Sequence, residues 1–251
     1  MSKAYKRYKY LNFRIRQIIL LLLGLVVPAI VLLTEGEMNS GNWGWVVIPI
    51  VVEAIVVILL ELMRWMLLAR LLLIEIDVKT FAWLTRKPKS KKQEMIDKKW
   101  EAVGCYFDGD FEGVFSVSRF FLEKGDKNLI FVQRDLEIKA NFILGNYNKV
   151  LELIELQNQI VNEANPRATI KSSVYYDFFT SFVSKEYEKG IFLLNTLLED
   201  EKISKQNNIK ISIYYFLRMA YKELGNEEQV EKCTQEMFKC DPRKLTFFTR
   251  Q

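Results

Sequence analysis

Apolar positions are distributed unevenly along the chain. Two almost unbroken apolar runs, residues 18–33 and 46–60, lie in the first quarter, whereas from residue 93 onward apolar residues recur every three or four positions among charged ones. With their flanks the first run reaches 18 residues, Gln17 to Thr34, near the lower limit for a hydrocarbon core about 30 Å thick, and the second reaches about 20, the length of one crossing. That pattern predicts transmembrane helices over residues 17–34 and 44–64. The later spacing predicts amphipathic helices; Tyr214, Leu217, Tyr221 and Leu224 fall on one helical face. Residues 174–183 are apolar around nearly the whole circumference, so that helix must bury two faces. β-Branched runs are short and sit inside longer helical patterns. The expected fold class is therefore all-α: a two-helix transmembrane hairpin followed by a helical-repeat (α-solenoid) domain.

Charge places these elements. Lys3, Lys6, Arg7, Lys9, Arg14 and Arg16 precede the first run, and Arg70, Arg86, Lys87, Lys89, Lys91 and Lys92 follow the second, while the connection 35–42 carries acids and no base. The positive-inside rule then expects a multi-pass cell-membrane protein with both termini cytoplasmic. Trp43, Trp45 and Trp65 mark the ends of the second span. No small-x-small cleavage site follows the first run, which reads as a span rather than a cleaved signal peptide. Residues 65–92 are broken by Arg70, Glu75, Asp77 and Lys79. They are expected to form an interfacial helix, or a continuation of the second span, and then a basic linker. The cluster from Arg86 to Lys92 suits contact with anionic lipid as well as a plain topology signal. Glu53 lies near the centre of the second span, where a carboxylate is costly. It reads either as a protonated or hydrogen-bonded residue in a helix pair or as part of an ion pathway. Two spans form too little wall for a path, so a pore would need a homo-oligomer built through the transmembrane helices.

In residues 93–251 a helical pattern, a tight turn and a second helical pattern recur. The turns are Asp108-Gly109-Asp110-Phe111, Leu144-Gly145-Asn146-Tyr147, Ser184-Lys185-Glu186-Tyr187 and Leu224-Gly225-Asn226-Glu227. Taking Gly109, Gly145, Lys185 and Gly225 as equivalent gives intervals of 36, 40 and 40 residues. Periods of that size predict stacked helical hairpins, about four of them. Asn165-Pro166 separates two hairpins and Asp241-Pro242 ends the last, because proline disfavours helix in the residue before it.

The last unit resembles the tetratricopeptide repeat family. Tyr214, Leu217 and Tyr221 stand at the Trp, Leu and Tyr positions of the W-x2-L-G-x2-Y signature, and Pro242 at the repeat-closing proline. Arg218 departs from the signature glycine, and Val230 and Thr234 replace the usual Ala and Phe of the second helix. The first unit carries Trp100-x2-Val103-Gly104-x2-Phe107, with Gly109 two residues early; the middle units keep Gly145-Asn146-Tyr147-x2-Val150 and Glu186-Tyr187-x2-Gly190. The resemblance implies that first helices line a concave groove, with Asn141, Tyr176 and Arg218 as candidates to face a bound peptide.

Composition narrows the function. Residues 1–92 hold 14 Lys and Arg against 6 acids, whereas 93–251 hold 22 against 25, a net of −3. A slightly acidic domain argues against nucleic acid, whose affinity comes from phosphate neutralisation. The chain has no histidine, which removes the commonest general base, Ser-His-Asp and Cys-His arrangements, and histidine-containing metal sites. No phosphate-binding or dinucleotide fingerprint is present. Cys105, Cys233 and Cys240 are expected to be reduced thiols. No enzymatic activity, cofactor or metal is expected. The expected function is a membrane-anchored scaffold or receptor whose cytoplasmic repeats bind a peptide or helix of a partner protein. The alternative is an accessory subunit of a membrane transport or secretion assembly that uses Glu53 and the two spans.

Overall fold

The computed structural model of the 251-residue chain describes residues 8, 10, 12–15, 17–18, 43–85, 91–124, 127–164 and 166–250. Among them the chain is 87% helix with no strand. In order, the helices are α1 (Trp43–Leu73), α2 (Val78–Thr85), α3 (Lys91–Asp108), α4 (Phe111–Lys124), α5 (Lys127–Ile143) and α6 (Tyr147–Ala164). Then follow α7 (Pro166–Val183), α8 (Tyr187–Glu199), α9 (Glu201–Ser204), α10 (Asn207–Glu223), α11 (Glu227–Cys240) and α12 (Phe247–Arg250). The all-α expectation holds. Two compact units divide the chain, Met1–Leu71 and Leu72–Gln251.

The expected transmembrane hairpin is corrected. Among the described residues no helix is long and apolar enough to cross a membrane. Apart from Gln17 and Ile18, span 17–34 lies outside the described residues. Span 44–64 falls within α1, a single helix that continues to Leu73. In the described stretch of α1 the apolar run is interrupted by Glu61, Arg64 and Arg70, with Arg64 paired to Glu61 at 3.0 Å. Within 44–64 the Glu61–Arg64 pair adds charge to a stretch that already carries Glu53 near its middle, where a charged side chain costs about 2.5–3.5 kcal/mol. The multi-pass cell-membrane localisation, which rested on the two spans, is corrected with them.

In the second unit four helix pairs, α3–α4, α5–α6, α7–α8 and α10–α11, are joined by one kind of turn. Gly109, Gly145, Lys185 and Gly225 have φ of 81°, 77°, 62° and 68°. In every turn the N–H of this left-handed residue reaches the carbonyl three residues back, and the next N–H reaches the carbonyl five back. Gly145 N to Phe142 O is 3.1 Å and Asn146 N to Asn141 O is 2.9 Å; Lys185 N to Phe182 O is 3.0 Å and Glu186 N to Ser181 O is 2.8 Å. This pair of hydrogen bonds satisfies carbonyls that the helix end would leave bare. The next residue opens the following helix: Asp110 Oδ1 accepts from Gly113 N–H at 3.0 Å and Asn226 Oδ1 from Gln229 N–H at 3.1 Å.

The first helices of the pairs share an aromatic core. Phe142 of α5 packs on Phe179 of α7 at 4.4 Å between ring centroids and on Phe216 of α10 at 5.5 Å, with Phe178 and Phe182 also against it. Gly190 on α8 lets that helix approach α7, since a Cβ there would lie 3.0 Å from Phe178 Cδ2. The end of the chain then returns to its first pair. Phe247 of α12 meets Phe111 edge to face at 5.4 Å between ring centroids, and Phe248 lies between Tyr106 and Tyr215 at 5.6 and 5.1 Å. Buried Asp241 orders the return: Oδ1 accepts from Leu245 N–H at 3.0 Å, and Oδ2 from Thr246 N–H and the Thr246 and Thr249 hydroxyls at 2.8–2.9 Å. Arg243 adds ion pairs to Glu75 and Asp77, and Asn207 Nδ2 donates to Ile74 O at 3.0 Å.

Candidate functional site

The residues singled out by the sequence occupy separate environments. Asn141 is buried; its amide donates to Glu137 O at 3.0 Å and accepts from Asn146 Nδ2 at 3.2 Å, which braces the α5–α6 turn. Tyr176 is buried, with its hydroxyl 3.4 Å from Asp135 Oδ1. Arg218 is partly exposed, its guanidinium 5.1 Å from the centre of the Tyr215 ring. Burial raises the Tyr215 phenol, and the Arg218 charge pulls it the other way. Glu53 belongs to α1, but its side chain is outside the described residues, as are Arg86, Lys87 and Lys89.

A cleft of about 280 Å³ lies where the first helices of all four pairs meet. α3 contributes Trp100, Val103, Tyr106 and Phe107; α5 contributes Asp135, Leu136 and Lys139; α7 contributes Tyr175; α10 contributes Asn208, Ile209 and Ser212. Trp100, Val103, Lys139 and Ile209 are partly exposed, so the cleft reaches the surface. Its walls are mainly apolar and aromatic.

The polar groups of the cleft are mostly committed to one another. Lys139 Nζ pairs with Asp135 Oδ2 at 2.7 Å and sits 4.3 Å from the centre of the Tyr175 ring, a cation held by both a carboxylate and an aromatic face. Asp135 also lies beside the Tyr176 hydroxyl. The Tyr106 hydroxyl donates to Ser212 Oγ at 3.4 Å across the α3–α10 boundary. Burial holds the Tyr106 and Tyr175 phenols well above their ordinary values, so both stay protonated donors at neutral pH. One group is left over. Asn208 Oδ1 is buried and accepts no hydrogen bond, an arrangement that costs about 1–3 kcal/mol.

The cysteines offer no nucleophile at neutral pH. Cys105, Cys233 and Cys240 are unpaired, and each thiol is pushed up to about 11, by burial before any other cause. The thiolate is the reactive form, so these groups are inert. A second hollow of about 440 Å³, between α8, α10 and α11, is lined by Tyr214, Tyr221, Lys232, Cys233 and Glu236 and contains no orphaned polar atom.

Sequence reasoning missed the cleft, although a signal was present. Asp135 and Lys139, and Asn208 and Ser212, are polar pairs at helical spacing of four, within helices whose other faces are apolar. Polar residues on a core face must find partners, and such pairs mark where a core opens. Comparison with protein family models, with curated proteins and with solved structures finds no match to this chain.

Proposed function

We propose that residues 72–251 are a non-catalytic recognition module of the tetratricopeptide kind, which seats one anchor side chain of a partner protein's peptide segment in the cleft. The observation that carries this reading is the composition of the cleft wall, to which the first helix of every pair contributes. Repeated hairpins commonly present their binding surface along such helices. A volume of about 280 Å³ is near the lower bound of pockets that enclose a whole small ligand, about 300–1,000 Å³. It suits a single side chain, with the rest of the segment lying on the surface. The acidic balance of residues 93–251 favours protein over nucleic acid as the ligand. The inert thiols are consistent with binding rather than group transfer.

The test is selection from a displayed library of random dodecapeptides on the full-length chain. Selected peptides should lose at least tenfold in affinity on Ile209→Trp, which fills the mouth of the cleft, while the thermal midpoint stays within about 2 °C. Peptides that bind wild type and the filled variant equally would place recognition elsewhere and refute the reading.

A further inference from the structure

We infer that Asp135 and Lys139, by cancelling one another's charge at the cleft wall, make the cleft selective for an uncharged aromatic side chain, a phenylalanine ring of the partner segment. The inference rests on the cleft being a recognition site and adds which residues decide what enters it.

Both charges stand on one face of α5, four residues apart, and both line the cleft. Lys139 Nζ meets Asp135 Oδ2 at 2.7 Å, and the two side chains keep only 14% and 21% of their exposure, so water screens the pair little. Each is fixed by a second contact. The ammonium group lies 4.3 Å from the centre of the Tyr175 ring, and Asp135 Oδ1 lies 3.4 Å from the Tyr176 hydroxyl. The carboxylate is felt across the space: after burial, it is among the causes that raise the phenols of Tyr106 on α3 and Tyr175 on α7. Paired, the two charges offer a guest no net charge.

That balance sets the selectivity. A cation drawn to Asp135 is repelled by Lys139 beside it, which also covers the Tyr175 ring; an anion drawn to Lys139 meets the Asp135 carboxylate. Either ion would shed its hydration among apolar walls without gaining a countercharge of its own. A neutral ring gives up no such hydration, and it meets Trp100, Tyr106 and Phe107 in a space that suits aromatic packing. A cavity of about 150 Å³ holds one benzene ring, so about 280 Å³ takes one ring and the chain that carries it. Removal of either partner would leave the other as an uncompensated charge at the wall and reverse the preference.

The experiment is ligand-observed fluorine NMR on the full-length chain near neutral pH with 4-fluorotoluene, 4-fluorobenzoate and 4-fluorobenzylamine, one ring in three charge states. Wild type should bind 4-fluorotoluene about tenfold more tightly than either ion, and Ile209→Trp should abolish that binding. Asp135→Asn should raise the affinity for the benzoate about tenfold and leave the benzylamine unimproved, and Lys139→Met should do the reverse, each gain being that of one contact to a charged group. The double variant, Asp135→Asn with Lys139→Met, is neutral again and should return to the wild-type order. A pair that served packing alone would move all three probes together. Parallel changes of that kind, or an ion bound most tightly by wild type, would overturn the inference while leaving a recognition cleft in place. Absence of binding by every probe, or binding of 4-fluorotoluene unaffected by Ile209→Trp, would overturn the recognition reading with it. A selected peptide that displaces 4-fluorotoluene, and stops doing so when its phenylalanine is replaced by lysine or by glutamate, would support a partner's side chain as the source. The expected order among the probes with no competing peptide would overturn that source.

Discussion

Three glycines share one backbone conformation but not one environment, and alanine at each should separate the cost of the turn from the cost of closing the fold. Gly109, Gly145 and Gly225 all have positive φ, at 81°, 77° and 68°. An L-residue in that region costs about 1–2 kcal/mol, offset by about 0.4–1 kcal/mol from the stiffer unfolded chain. Gly145→Ala and Gly225→Ala meet no heavy atom within 4 Å and should lose only this difference, about 1 kcal/mol. At Gly109 the new methyl would lie 2.9 Å from Phe247 Cβ and 3.0 Å from Cγ. Phe247 has little room to retreat: its ring is packed on Phe111, Tyr215 and Phe248, and Asp241 holds the segment that leads into it. Overpacking of this kind adds about 1–3 kcal/mol, so Gly109→Ala should lose about 2–4 kcal/mol in all. Urea midpoints of the full-length chain, followed by far-ultraviolet circular dichroism, give the comparison. In a Phe247→Gly background, which removes both clashing atoms, the Gly109 penalty should fall to that of Gly145, a coupling that a double-mutant cycle reads directly. Equal losses at all three glycines would refute the docking of α12 on the first hairpin.

Other outcomes follow from the same geometry. Lys185 occupies the third turn at φ 62°, so Lys185→Gly should stabilise by up to about 1 kcal/mol in the same urea assay; destabilisation would mean that the lysine side chain contributes more than its backbone costs. Asp241→Asn turns an N–H toward donors that now point at a carboxylate, and should cost about 2–4 kcal/mol and expose Phe247 and Phe248 to rapid amide exchange; protection unchanged at residues 245–250 would refute it. Stability should fall above about pH 9. The Cys105, Cys233 and Cys240 thiols are raised from 9.0 to about 11 in the fold, so their contribution is fully present below the unfolded value and is lost as pH rises through about 11, with Tyr214, raised to about 12, acting in the same direction. Urea midpoints at about pH 8 and 10.5 that coincide would count against this.

The parts of the fold legible in the sequence are those fixed by local chemistry. Gly109, Gly145 and Gly225 stood out because glycine is the residue that takes positive φ at least cost, and their spacing located Lys185 in the same role despite its side chain. The helices could be read from apolar periodicity for the same reason. What the sequence did not reveal depends on contacts distant along the chain. Nothing in Phe247 and Phe248 specifies that they pack on α3 and α4, more than 130 residues earlier. Asn141 and Tyr176 looked like groove residues because a polar or amphipathic side chain on a first helix has two destinations, open surface or internal partner. In the fold they bond to the α5–α6 turn and to Asp135. The membrane reading failed for another reason: apolar length was weighed over 44–64 in spite of Glu53, Glu61 and Arg64, and among the described residues no helix is long and apolar enough to cross a membrane.

Closure of the second unit links its stability to its proposed binding function. An open row of hairpins would leave its first helices to form a long channel, in which affinity is spread over many weak contacts. Here Phe142, Phe178, Phe179 and Phe216 fill the space between those helices, and the cleft is what remains. Tyr106 stands at the junction. Its ring packs on Phe248 of the returning tail, its hydroxyl bonds to Ser212, and it forms part of the cleft wall. A guest in the cleft therefore touches a residue that the tail holds in place. Mass action then requires a guest that binds only the closed arrangement to stabilise the docked tail, by an amount that grows with its concentration over Kd. The guest should slow amide exchange at residues 247–250, which do not themselves line the cleft. In Asp241→Asn, where the tail is loosened, the same guest should bind more weakly by the fraction of molecules left undocked.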